Sequence, residues 1–394
     1  MFRAPNACSI VTAILPNAAA TRVIKDTVDA GGGSALAWKA RGTMLRDHWM
    51  SRWMPPISPV KTVLQMVVPS SRVDTVVSSV MNSGRLHQQA VGAVFSTPCD
   101  YAYMGSKFHR WPKDDTPTEQ ATPAKESLSI IHCSVGQALS DRVARAAVDA
   151  GAHGPVIYFT EGRGLRDRIG WLRITKEHLQ EVQMVVVEQA LADDVFDAME
   201  IAGGFSHPGR GLMYRMDIDR GMFNLPSNFT KHQHDANMQQ IIRAIDHLSG
   251  HSHWRDQSVY RLGDQGRVTG VAGFKGAGRI SINRVALTAI APRKHVERIT
   301  DLIIDSGATG LSIVFGRFVG AAISDDANIR IHDEHCVIRS IIPPDIAARV
   351  CAVIDDTAEE LGVQDICVLV NEIKRTATYV PGSAEYRKSS KQVA

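Results

Sequence analysis

Apolar residues along the chain gather into short β-branched runs that alternate with stretches of helical periodicity, and this alternation occurs three times. The runs Ile10 to Leu15, Leu128 to Cys133 and Val285 to Ile290 read as strands. Each leads into the pattern R-[VI]-x4-[VI]-D-[AS]-G. The copies are Arg22-Val23 with Val28-Asp29-Ala30-Gly31, Arg142-Val143 with Val148-Asp149-Ala150-Gly151, and Arg298-Ile299 with Ile304-Asp305-Ser306-Gly307. Each predicts a helix that stops at glycine, where a left-handed cap favours a residue without a Cβ. At a nearly constant distance beyond each aspartate, a further strand ends at Val68, Val187 or Ile342. That strand runs into a second helical stretch, Ser71 to Met81, Ala192 to Ile201, or Pro344 to Glu360. Valines 73, 76, 77 and 80 mark the buried face of the first. Phe95, Tyr214 and Leu369 then lie in a last strand-like run of each copy.

Each copy therefore reads strand, helix, strand, long loop, strand, helix, strand. This is the βαββαβ ferredoxin-like order, in which helices cover one face of an antiparallel sheet. The expected class is α+β, with three tandem units forming an intramolecular pseudo-trimer, because units on one chain can satisfy each other's sheet edges. Unit 1 is assigned to residues 1–110, unit 2 to 126–222 and unit 3 to 284–381. Residues 111–125 carry Pro, Thr, Asp and Glu without periodicity and read as a linker. Residues 223–283 are assigned to a connecting helix and loop. Met238, Ile241, Ile242 and Ile245 stand there at helical spacing, and Gly250 is the stop. Residues 382–394 are polar and read as a frayed tail.

Composition narrows the class. The 44 Lys+Arg against 41 Asp+Glu give a net charge of +3, which argues against a nucleic-acid-coating protein. At 44% hydrophobic and 22% charged, the chain has an ordinary globular composition, and no apolar run reaches the roughly 18 residues of a membrane-spanning helix. The six cysteines form no CxxC pair and read as reduced thiols of a cytosolic protein. The apolar stretch Cys8 to Leu15, followed by Ala18-Ala19-Ala20, imitates a secretory leader but is short and ends at Pro16. No P-loop, dinucleotide fingerprint or HExxH motif occurs.

In the second copy, Glu161-Gly162-Arg163-Gly164 opens the long loop. Gly203-Gly204-Phe205-Ser206-His207-Pro208-Gly209-Arg210-Gly211 precedes the fourth strand. With three such units, the chain resembles the nitrogen regulatory PII signal-transduction superfamily, and these segments resemble its T-loop base and B-loop. The resemblance is strongest in the second copy and weakest in the third. It implies a fused trimer that is self-contained as a monomer, with an adenine nucleotide or small anion bound in clefts between repeats. Two departures limit it: Leu212 stands where typical members carry a phosphate-binding lysine, and no tyrosine occurs between Gly164 and Leu179. The first speaks against an ordinary ATP site and the second excludes tyrosine uridylylation in this loop. The B-loop segment Ser83 to Gly92 keeps two glycines in the first copy, whereas Gln364, Asp365 and Ile366 replace them in the third, so the three clefts are not equivalent.

Candidate chemistry follows the same places. Arg41, Arg163 and Arg317 align at the loop entrances, beside Gly42, Gly162 and Gly164, and Gly316. An arginine fork beside unhindered backbone N–H groups suits a carboxylate or phosphate. A salt bridge repeated with the fold is the competing reading. His207, Gly209, Arg210 and Gly211 complete the expected ligand site. His332-Asp333-Glu334-His335-Cys336 offers a metal site, with His332, His335 and Cys336 as first candidates, beside the H-x-H pairs His232/His234 and His251/His253. Solvated or capping histidines are the alternative. His132-Cys133 suggests a thiol nucleophile or, more simply, a buried strand cysteine. The Trp49/Trp53 and Met50/Met54 pairs favour packing or partner docking over a cofactor site. The functional expectation is a regulatory protein whose loops Gly42 to Val60, Arg163 to Gln180 and Arg317 to Glu334 respond to ligand and meet a target protein. The rival is a hydrolase, possibly metal-assisted, that has turned one cleft into an active site with catalytic residues unknown.

Overall fold

Every residue from Cys8 to Leu15 in strand β1 (Cys8–Pro16) is buried, so this strand has no solvent face. A strand covered on both sides reads as a continuous apolar run instead of an alternation. The computed structural model describes residues 8–29, 35–42, 60–86, 92–105, 127–164, 179–207, 209–224, 260–262, 268–270, 283–320, 330–360, 362–363 and 365–378. After β1 come α1 (Asn17–Asp29), β2 (Ala35–Gly42), β3 (Val60–Pro69), α2 (Val73–Gly84), β4 (Gly92–Pro98) and β5 (Tyr101–Met104). The second copy comprises β6 (Leu128–Gly136), α3 (Gln137–Asp149), β7 (Val156–Gly164), β8 (Leu179–Glu188), α4 (Ala192–Gly203), β9 (Leu212–Asp217) and β10 (Arg220–Asn224). A hairpin of β11 (Tyr260–Leu262) and β12 (Val268–Gly270) follows. The third copy comprises β13 (Val285–Pro292), α5 (Val296–Asp305), β14 (Gly310–Gly320), β15 (Arg330–Ile342), α6 (Pro344–Glu360), β16 (Cys367–Glu372) and β17 (Arg375–Thr378).

The described residues thus form a mixed α/β structure with six helices and one large antiparallel sheet. The lateral order in each copy is the same: β4-β1-β3-β2, β9-β6-β8-β7 and β16-β13-β15-β14. Register defines equivalent positions in the copies. Thr12, His132 and Thr288 face Gln65, Met184 and Arg339 on one neighbouring strand, and Phe95, Tyr214 and Leu369 on the other.

The two faces of β1 serve different cores. Val11, Ala13 and Leu15 pack with Val73, Val76, Val77 and Val80 of α2, so the valine stripe is buried as its spacing predicts. Equivalent separate cores lie under the helices of the other copies. On the opposite face, Ile10, Trp38 and Phe95 join Ile130, Tyr158 and Tyr214, and Ala286, Val314 and Val337, in one core shared by all three copies.

Strands exchanged between copies fasten this shared core. β5 pairs with β16, β10 with β4, and β17 with β9, so each copy receives a fifth strand from another. At the other end, the second strands of the copies meet in a ring. Arg41–Gly42 pair with Val156–Ile157, Glu161–Gly164 with Gly310–Ile313, and Arg317–Val319 with Ala35–Ala37.

The expected helix α2 is displaced slightly, from Ser71–Met81 to Val73–Gly84, and ends at Arg85 in the left-handed region (φ 54°). The expected start of α4 at Ala192 and the bounds of α6 agree with the structure. In the third copy the strands reach further into the loop than expected, so Arg317 and His332 to Cys336 belong to β14 and β15. The expected helix at Met238 to Ile245, the 111–125 linker and the 382–394 tail lie outside the described residues.

One exchanged strand carries a cross-copy tie that is testable. Arg375 of β17 lies over the Phe196 ring of α4 (4.3 Å to the centroid) and donates to Asp193 (3.2 Å), Asp197 and Glu200 (3.5 Å). A stacked guanidinium serving three carboxylates is worth more than a lone surface pair. Arg375→Ala is expected to lower stability by roughly 1–2 kcal/mol in urea denaturation. An unchanged midpoint would mean that this tie contributes nothing.

Candidate functional site

Strand register decides which loop-entrance residues are equivalent. Trp38, Tyr158 and Val314 occupy one position, opposite Val63, Val182 and Val337. Three residues further on stand Arg41, Glu161 and Arg317. The second copy therefore places a glutamate where the sequence alignment put Arg163, and Arg163 lies two residues later on the same strand face. The environments differ accordingly. Arg41 Nη2 donates to Glu181 of β8 at 2.9 Å, a contact between the first and second copies that ends on a buried carboxylate. Arg163 Nε donates to Glu161 Oε1 at 2.9 Å. Arg317 is exposed on β14, just before a bulge in the β14–β15 ladder.

The glycine loop of the second copy follows from α4, which ends at Gly204 in the left-handed region (φ 63°). His207 is exposed, with Nδ1 3.3 Å from the Gly204 carbonyl and 3.3 Å from Ser206 Oγ. Arg210 is also exposed. Gly211 (φ 115°) is held differently, because a Cβ there would lie 2.0 Å from the Ser134 carbonyl oxygen. Gly92 makes the equivalent approach in the first copy, 2.1 Å from the Ile14 oxygen, whereas Ile366 occupies this place before β16. Glycine is required where the loop meets the first strand so closely.

Gln180 links the two parts of the second-copy site. Ser134 Oγ donates to its Oε1 at 2.8 Å, and a Cβ on Gly162 would meet its carboxamide carbon at 2.6 Å. The third copy closes the same junction: Ser134 and Ser312 hydroxyls lie 3.4 Å apart, Gly164 pairs with Gly310, and Thr378 Oγ1 donates to the Gly211 carbonyl at 3.4 Å. The structure thus brings Gly162, Gly164 and Gly211 to one junction between copies, while Gly209 (φ 77°) has open space where a Cβ would stand.

The metal candidates are spread over two faces. His335 is buried, stacked on Phe318 at 4.3 Å, with Nε2 3.4 Å from the Asp365 carboxylate. Cys336, its neighbour on β15, turns to the other face and donates to the Ala291 carbonyl (3.4 Å); burial pushes its thiol up to about 12. His332 pairs with Phe318 in the ladder. Among the described residues, no group of three or more His, Cys, Asp or Glu side chains is placed to hold a metal ion. Strand alternation also separates His132 from Cys133, whose thiol burial pushes upward, so this pair does not form a nucleophile and base. Both H-x-H pairs and the Trp49/Trp53 and Met50/Met54 pairs lie outside the described residues.

The polar centre of the shared core went unread in the sequence. Arg339 is half-buried where the three copies meet and donates to Tyr158 Oη (2.6 Å, second copy) and Gln65 Oε1 (2.8 Å, first copy). His132 stacks on Tyr214 at 5.0 Å, and its buried Nδ1 has no hydrogen-bond partner among the described residues. Burial, reinforced by Arg339, pushes the imidazole well below its ordinary 6.5. Burial pushes Tyr214 up to about 12 and raises Tyr158 against the pull of Arg339.

No protein-family model matches the chain, and no curated protein matches it. Solved structures align only loosely. An aspartate kinase from Synechocystis aligns at 10% identity over 93% of this chain and 44% of its own, with a TM-score of 0.20. The siroheme decarboxylase NirDL aligns at 11% identity over 69% and 81% of the two chains, with a TM-score of 0.17. An anthrone oxidase-like protein aligns at 9% over 59% and 97%, also at 0.17. The chain spans less than half the length of the kinase, and overlaps this loose decide neither family nor function.

The lowered imidazole pKa fixes the sign of a pH effect. Below about 6.5 the unfolded chain takes up a proton on His132 that the folded chain resists, so stability falls as pH drops. The expected loss is up to about 1.4 kcal/mol per pH unit below pH 6.5, until the folded imidazole itself titrates. His132→Phe keeps a ring on Tyr214 and should flatten this part of the stability profile. Urea denaturation of both proteins between pH 5 and 8 tests this, and parallel profiles would show that His132 does not contribute.

Proposed function

We propose that the chain is a ligand-binding regulatory protein of PII-like kind, in which three fused ferredoxin-like units form a pseudo-trimer and a small anion or nucleotide binds at the junction of the second and third. The observation that carries this reading is the meeting of a loop base and a glycine loop at one seam: Glu161–Gly164 against Gly310–Ile313, with Gly211 accepting from Thr378. A loop anchored at such a seam changes its order when a ligand adds contacts there, which is the physical requirement for signalling to a target protein. The ring of strand pairs and the exchanged fifth strands support the pseudo-trimer.

In this reading Arg163 supplies the charge. Among the described residues only its Nε is engaged, by Glu161, which leaves the Nη fork for a bidentate anion contact. Arg210 stands exposed on the glycine loop and adds attraction to the same ligand. Leu212 in place of a lysine favours a small anion or a nucleotide of low charge over a triphosphate. The third copy, with Ile366 where the other copies have glycine, is not equivalent. Gly42 and Arg41 are drawn into the seam between the first and second copies, and the Arg41 fork already serves Glu181.

Loss of a charge-assisted contact of about 1.5–3 kcal/mol weakens binding by roughly ten- to a hundredfold. Arg163→Ala is expected to do so in calorimetry against nucleotides and small carboxylates, while Arg317→Ala leaves binding within about twofold. If Arg163→Ala binds every ligand as the unaltered chain does, the site assignment fails.

A further inference from the structure

Two cavities that share Arg339 in their lining lie in the shared core, with volumes of about 30 Å³ and about 20 Å³ for the centre of a water-sized occupant. Arg339 and His132 line both. At about 10–15 Å³ per water, the larger holds two waters or one compact ion. Thr160 also lines it, and its buried hydroxyl, like His132 Nδ1, has no hydrogen-bond partner among the described residues.

Charge is the deciding consideration. Arg339 remains a guanidinium, since arginine does not lose its proton in proteins. Its two bonded neighbours, Tyr158 and Gln65, are neutral acceptors, and no Asp or Glu among the described residues lines either cavity. Arg339 is half-buried and lines both cavities, and a partly desolvated cation without a counter-charge gains from acquiring one. His132 does not compete for the anion with a second positive charge, but as the Nδ1–H tautomer it supplies a donor, and Thr160 supplies another. One positive charge, several donors and room for a single compact occupant specify the missing partner closely.

We infer that the larger cavity between the second and third copies binds one compact monovalent anion, of halide or nitrate size, against the Arg339 guanidinium with His132 and Thr160 as further donors. This site adjoins the loop-base seam through Ser134 and Ser312, but its occupant is not the loop-base ligand proposed above and it stands whether or not that ligand exists. Its occupant neutralises the core and couples the three copies, because Arg339 already joins the third to the first and second. A nucleotide does not fit the volume, and a dianion would leave uncompensated negative charge.

The test uses the full chain with bromide and nitrate as probes. Crystals grown with bromide in place of chloride are expected to show an anomalous peak between Arg339 and His132. In solution, bromide or nitrate at a hundredfold excess over its dissociation constant should raise the unfolding midpoint by about 3 °C relative to gluconate at equal ionic strength. Arg339→Met, which keeps length and apolar bulk, should abolish that rise, whereas Arg163→Ala should retain it. Bromide on the surface with only water in the cavity would overturn the inference, as would equal midpoints in bromide, nitrate and gluconate. Should Arg339→Met fail to fold, the anomalous map and the anion series on the unaltered chain still decide the matter.

Discussion

A four-stranded sheet ends in two rows of unpaired N–H and C=O groups, and the architecture is organised around removing them. Each copy closes one edge with a strand lent by another copy, β5 on β16, β10 on β4 and β17 on β9. The second strands close the other edge among themselves. Edges left open would invite pairing with other chains. Once the edges are exchanged in this way, the faces opposite the helices are forced together, and the shared core follows from the hydrogen-bonding requirement.

That core has an uncommon chemistry for its depth. Most of it is apolar, but Arg339, His132, Gln65 and two tyrosines meet where the copies converge. The same low dielectric that makes an unpaired buried group costly strengthens a satisfied network. Arg339 also lies 5.9 Å from the Trp38 ring centroid, so an aromatic face from the first copy helps to hold the cation. The polar centre and the loop-base seam adjoin through Ser134 and Ser312, which line the larger cavity and also lie at that seam.

Much of the architecture was legible from repetition. The matched positions of Phe95, Tyr214 and Leu369, read from spacing alone, are one equivalent position in the ladders. The exchanged strands were not legible, because a segment as short as Tyr101–Met104 has no periodicity to count and finds its partner in a distant part of the chain. Arg163 was misaligned with Arg41 and Arg317 because an arginine-glycine pattern cannot distinguish positions two residues apart on one strand face, and only the pairing register fixes which is equivalent. Arg339 was hidden for a related reason. An arginine in a strand suggests a solvent face, but both faces of β15 are covered, one by α5 and α6 and the other by the shared core. A cation inside such a doubly covered apolar run was the available signal.

Arg339, Gln65 and Met184 hold one position in three copies, and Arg339 touches Gln65 directly. In an assembly of three identical chains, a mutation to arginine there would be made three times, and three guanidiniums would crowd together and repel. Joining the copies in one polypeptide removes that penalty, because a substitution enters once. A single chain can thus hold arginine, glutamine and methionine at one ladder position, a combination that three identical chains could not present.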